Sequence, residues 1–187
     1  MSNFATQFII MIETLISSKT RVKLLLKFFL NSSTESYLRG LESEFGDSSN
    51  AIRIEINRLE QAGMLTTETS GNKKMYKANK KHPLFNEIHS IVMKYVGLDT
   101  VIEEVIERLG EVRKVFLVGE FSKGLNSDII DLIFVGNIDK IYLINLIEKT
   151  EALMSRKIRY INYSDEQFDK LDISKYNPQP LLLWSND

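Results

Sequence analysis

The chain has 187 residues, 43% of them hydrophobic and 26% charged, with a net charge of −1. That is an ordinary globular balance, long enough for one large domain or two small ones. There is no cysteine, which excludes disulfides, thiolate zinc sites and thiol redox sensing within this chain.

Charge is unevenly placed. Residues 19–81 hold 12 Lys/Arg against 7 Asp/Glu, a net of +5, and the remainder holds 12 against 18, a net of −6. A basic stretch beside an acidic one suggests that only one part meets a polyanion. The apolar N-terminus (Phe4, Phe8, Ile9, Ile10, Met11, Ile12) has neither a basic start nor a small-residue cleavage site, so no secretory leader is expected. Apolar stretches of only about ten residues are too short to span a bilayer. A cytoplasmic location without membrane contact is expected.

In chain order, residues 3–17 repeat apolar side chains at Phe4, Phe8, Met11, Ile12 and Leu15, a wide helical face suited to a second subunit or to the chain's own core. Residues 20–31 read as a helix with Val22, Leu25, Leu26 and Phe29 on one side. Residues 36–45 and 50–61 read as a helix pair joined by Gly46–Asp47–Ser48–Ser49. Strands over 65–68 and 74–78 follow, reversed around Gly71 and Asn72, residues tolerant of positive φ. A helix over 84–96 opens after Pro83 and is closed by Gly97. Another over 98–109 turns Glu103, Glu104, Glu107 and Arg108 outward and ends at Gly110.

The period then changes. Residues 114–118, 129–135 and 157–163 read as strands and 138–154 as a helix. Ser164 to Gln167 match a capping box that starts a short helix, and 181–184 suit an edge strand. The fold class expected is α+β: a winged helix-turn-helix domain over 1–97, with an N-terminal dimerisation helix, followed by a small α/β domain over 98–187.

On a helical wheel Ile52, Ile56 and Leu59 face the core, and Asn50, Arg53, Asn57 and Gln61 face away, flanked by Ile54 and Arg58. That inventory suits a DNA major groove. Arginine pairs with guanine, asparagine with adenine, and an apolar side chain meets the thymine methyl. Ser48 and Ser49 sit at the helix start, where hydroxyls and free N–H groups suit a phosphate. Glu55 lies near the core edge. Lys73 and Lys74 at the hairpin tip are placed to reach a neighbouring phosphate or minor groove. His82 and His89 are seven apart with no third ligand, so neither a metal nor a cofactor is expected.

The stretch over 15–97, with "NRLEQAGML" before the hairpin, "GNKKMYKAN" in it and "HPLFNEI" after it, resembles the winged-helix domain of ArsR-like bacterial regulators. The resemblance implies a homodimeric transcriptional regulator bound to double-stranded DNA, with a possible small-molecule effector. The metal-sensing cysteines of many such regulators are missing here.

"VFLVGEFSKGLNSDIIDLIFVG" over 115–136 is similar to the signature of minimal nucleotidyltransferases of the polymerase-β superfamily. In that family a Gly-Ser turn cradles a triphosphate and paired aspartates hold two metals. Gly119, Phe121, Gly124 and the strand from Asp131 fit it, with Ser122 and Lys123 near the cradle. The pattern fails elsewhere. Glu120 stands where serine is expected. Asp128 and Asp131 are three apart and so face opposite sides of a strand. Ile129 occupies the first aspartate position, the third strand offers Arg159 and Ile161 but no acid, and the loop before Asp131 is short. The site Gly119, Glu120, Ser122, Lys123 and Asp131 is therefore read as degenerate, in a pseudo-enzyme domain for sensing, dimerisation or docking. Three alternatives stay open: Glu120 replacing a lost ligand beside Asp131, an active metal-dependent transferase whose winged helix docks a partner, and a protein-interaction module.

Overall fold

The computed structural model describes residues 14, 16–99, 101–103, 110–153 and 156–186. It is a mixed α+β structure with two small sheets. Its contacts divide the chain into two compact units. Among the described residues, the first gathers those up to Val92 together with Lys123–Asn126, and the second gathers those from Met93 to Ser122 and from Ser127 onward. Among the described residues no helix is long and apolar enough to cross a membrane. The expected helix over 3–17 lies almost wholly outside the described residues, as do positions 104–109 of the next acidic helix; 98–99 and 101–103 are helical.

In the first unit, α1 (Lys19–Leu25) is capped by Ser18, whose side chain accepts from the Arg21 N–H. It passes into a π-helical turn, Leu26–Leu30, where regular α-helix was expected. All five residues of the turn are buried, Lys27 included. Lys27 Nζ meets Glu44 Oε2 at 2.7 Å, which satisfies a charge that burial would otherwise penalise. The short strand β1 (Glu35–Tyr37) comes next. Three residues are too few to show alternation, and their sequence reads equally as the start of the following helix. Pairing with β3 holds them extended, so α2 (Leu38–Phe45) begins two residues later than expected and ends at Gly46, left-handed at φ 65°.

The helix α3 (Ser49–Gln61) is capped by Ser48, whose hydroxyl accepts from the Ala51 N–H. Strands β2 (Leu65–Ser70) and β3 (Lys73–Ala78) pair in register as far as Ser70↔Lys73. The reversal is therefore only Gly71–Asn72, with Gly71 at φ 58°, tighter than the sequence indicated. The sheet order is β1-β3-β2. Leu24, Phe28, Phe29, Leu41, Ile52 and Ile56 are fully buried; burying each such side chain contributes about 1.5–3 kcal/mol.

The helix α4 (Phe85–Val96) runs across the division between units. The second unit's sheet contains β4 (Gly110–Val118), β5 (Ile129–Ile138), β6 (Lys157–Tyr163) and β7 (Leu181–Ser185), in the order β6-β5-β4-β7. Only β5 and β6 are parallel. Parallel neighbours need a crossover, supplied by α6 (Lys140–Leu153), which buries Leu143 and Leu146. Between β4 and β5 lies a short helical turn, α5 (Gly119–Ser122); α7 (Asp165–Asp169) follows β6, opened by a complete capping box at Ser164 and Gln167.

One sheet face packs Phe116, Ile133 and Val135 beneath Tyr163, Phe168, Ile173 and Tyr176. Strand pairing extends further than the apolar runs indicated, because Gly136 lets β5 continue past Val135. A Cβ there would stand 2.1 Å from the Glu111 carbonyl oxygen, at φ 130°.

Gly136→Ala is expected to destabilise the protein by more than about 1 kcal/mol, since both contact and φ oppose a side chain. Gly71→Ala meets open space and carries only the φ penalty. Urea midpoints of the two variants should rank in that order.

Candidate nucleic-acid interface

The turn between α2 and α3 is held from below by α1. Asp47 accepts from the Thr20 hydroxyl at 2.8 Å and from Lys23 Nζ at 2.7 Å; Lys23 also donates to the Phe45 carbonyl at 2.9 Å. Burial raises the Asp47 pKa, but these hydrogen bonds and the Lys23 charge outweigh it and hold the carboxyl below its ordinary value. Eight residues further on, within α3, Glu55 is 6% exposed. It is a core residue rather than one at the core edge. Its Oε2 accepts from Arg21 Nε at 2.7 Å and its Oε1 from Arg58 Nη1 at 2.9 Å. Burial again raises the pKa, and hydrogen bonding and charge from Arg21, a Ser18 hydrogen bond and the Arg58 charge bring it below 4.5.

This buried carboxylate changes the inventory of the outer face. Asn50, Arg53, Ile54 and Asn57 are exposed as expected, with Ile54 at 44%. Arg58 is exposed too, but its guanidinium is tied to Glu55. The hairpin lysines are likewise engaged within the unit. Lys74 Nζ lies 2.7 Å from both oxygens of Glu60, and Lys73 Nζ stands 4.1 Å from the centre of the Tyr37 ring. Lys77 meets Glu68 and Glu35. Reaching a phosphate thus requires Lys73 or Lys74 to exchange an existing partner. Among the described residues of this unit, Lys19, Arg39, Arg53, Lys80 and Lys81 form no ion pair. Arg39, exposed on α2, was missed because a lone arginine on a short helix carries no spacing signal.

Both histidines are used structurally. His82 Nδ1 accepts from the Leu84 N–H at 3.2 Å, which leaves Nε2 to donate to the Ala62 carbonyl at 3.2 Å. His89 Nδ1 meets the Phe29 carbonyl at 2.6 Å, its ring stacked on Phe85. Among the described residues no group of three His, Cys, Asp or Glu side chains gathers to hold a metal ion.

In the second unit, parallel pairing sets Asp131 beside Arg159. Arg159 Nε and Nη2 take Asp131 Oδ1 and Oδ2 at 2.7 and 3.0 Å, a bidentate fork, so both carboxylate oxygens face a guanidinium. Gly119 abuts the same carboxylate: a Cβ there, at φ 70°, would stand 2.5 Å from Oδ2. Ser122 is buried and donates to the Gly119 carbonyl at 2.9 Å, turned into the fold. Glu120 is exposed on α5. Lys123 groups with the first unit, as does Gly124, whose missing Cβ leaves room for the Lys27 backbone at 2.4 Å. Sequence reading overlooked Arg156. It donates to the Ser127 and Tyr95 carbonyls at 3.2 and 3.1 Å and lies over the Tyr95 and Phe121 rings. No local pattern marks such a residue, because its partners are scattered along the chain.

Glu55→Gln is expected to lower stability at neutral pH by about 1–3 kcal/mol, the range for a charged hydrogen bond lost in a covered site. The native carboxyl pKa is depressed, so its contribution is complete above the unfolded value and fades as pH falls through the folded one. The gap between wild type and variant in urea titrations should narrow steadily below pH 4.5.

Comparison with known proteins returns nothing that places the chain: no family model, curated protein or solved structure matches it.

Proposed function

We propose that this chain is a DNA-binding transcriptional regulator whose first unit is a winged helix-turn-helix. The observation that carries the reading is the construction around α3. A three-residue turn joins it to α2, Asp47 and Glu55 bind it to α1, and it turns Asn50, Arg53, Ile54 and Asn57 outward. The β2–β3 hairpin then follows as the wing. Such a helix fits a major groove, and side chains of these kinds can meet base edges there. The net charge of +5 over residues 19–81 supports attraction to the phosphate backbone. The reading includes a homodimer acting in the cytoplasm, as an ArsR-like regulator would.

For the second unit the reading is a nucleotidyltransferase-like domain that no longer transfers nucleotides. The Asp131–Arg159 fork supports it. A metal would have to displace a bidentate guanidinium, and the neighbouring position on the strand that would complete the pair is Ile129.

Titration of the full chain with duplex selected from a random pool tests the first part. Affinity should fall steeply with salt, because phosphate contacts release counterions. Arg53→Ala should weaken the selected site by about 1–3 kcal/mol while leaving bulk DNA affinity nearly intact. An affinity indifferent to salt would favour a protein-interaction module. A transfer assay with all four nucleotides and magnesium or manganese tests the second part. Transfer present in wild type and abolished by Asp131→Asn would restore the enzyme.

A further inference from the structure

The two arginines of α3 stand on opposite flanks of its exposed stripe. At 100° per residue, Arg53 lies about 60° to one side of Asn50 and Arg58 about 80° to the other. They are not equivalent. Arg53 has no ion-pair partner among the described residues. Arg58 is held by Glu55, and the Glu55 side chain, 8% exposed, is held in turn by Arg21 from α1. A carboxylate so anchored cannot follow Arg58 outward.

Bidentate reading of guanine needs the guanidinium fork aimed squarely at O6 and N7. Arg58 can bring its Nη1–Nη2 fork to that aim only by releasing Nη1 from Glu55, which strips a covered carboxylate of one of its two cationic partners; its Nε–Nη2 edge keeps Glu55 in place and stays open to a phosphate. Ile54, 44% exposed in the middle of a polar stripe, is the one apolar contact the stripe offers.

We infer that Glu55 is a specificity-determining residue: it withholds Arg58 from the bases, so that Arg53 reads the guanine and Ile54 a thymine methyl beside it. Arg58 then serves as a phosphate anchor. This rests on the DNA-reading function proposed above and narrows it, since the arginine pair supplies one base-reading arginine per subunit rather than two.

The test is selection from a random duplex pool with the full-length wild type and the variants Arg53→Ala, Arg58→Ala, Glu55→Gln and Glu55→Gln/Arg58→Ala. Arg53→Ala should lose the preference at one guanine, a drop of about 5- to 150-fold for the preferred over the substituted site. Arg58→Ala should keep every base preference of the wild type and lose affinity uniformly, with a shallower salt dependence. Glu55→Gln should gain a guanine preference at a further position, and the second substitution should remove it. Loss of a base preference in Arg58→Ala overturns the inference while the DNA-reading function stands, and so does a folded Glu55→Gln variant with wild-type preferences. A wild type that selects no sequence and binds without salt dependence sinks the function itself. Circular dichroism reports whether Glu55→Gln folds; where it does not, the two single arginine variants decide, because both side chains are exposed.

Discussion

A charged group with little access to water must be met where it stands, and in the first unit that requirement fixes the most consequential helix. Glu55 projects from α3 into the space beside α1, and its oxygens are met by Arg21 and Arg58. Eight residues earlier, in the turn before α3, Asp47 is met by Thr20 and Lys23. The two carboxylates hold α3 at two heights against the same helix. Apolar contacts through Ile52, Ile56 and Leu59 supply most of the attraction, but such contacts are non-directional and tolerate sliding and rotation. The hydrogen bonds are directional, and they determine which residues of α3 face outward.

The same economy of charge runs through the hairpin. Lys74 with Glu60 joins β3 to the C-terminal part of α3, and Lys77 with Glu68 and Glu35 ties the hairpin's two strands to each other and to β1. These pairs are exposed and screened by solvent, so they contribute little to stability. Their larger effect is on the surface potential, because a lysine beside a carboxylate attracts a phosphate less than a free one. The net of +5 over residues 19–81 already counts these carboxylates; pairing changes where on the surface the positive charge is available.

In the second unit the organising side chains are also arginines, with other roles. Arg156 joins the end of α4, the loop at Ser127 and the start of β6 through two carbonyls and two ring faces. Arg159 closes on Asp131 from the neighbouring parallel strand. The second pair bears on chemistry. A lone aspartate at a strand end is open to metal, solvent or cation, and here a cation from the adjoining strand has taken both oxygens. With Gly119 against the same carboxylate, Asp131 is enclosed by the protein's own groups.

Much of this was legible in the residues alone. The apolar spacing of α3, the Ser164 cap, the Gly71–Asn72 reversal and the β-rich runs that became β4, β5 and β6 are local patterns, and a local pattern needs only a short stretch of chain to be read. That Glu120, Ile129 and Arg159 stand at these positions was legible too, since they are identities, not geometry. What escaped were properties set by partners far along the chain. The strand β1 exists because β3 lies beside it. The π turn at Leu26–Leu30 sits in a fully covered core. Lys73 and Lys74 look like solvated charges until Tyr37 and Glu60 are brought to them. Sequence determined which residue types line each face, because periodicity alone sorts inside from outside. Tertiary structure decided which of the outward charges were already engaged, because an ion pair between residues 34 apart, such as Arg21 and Glu55, leaves no trace in local spacing.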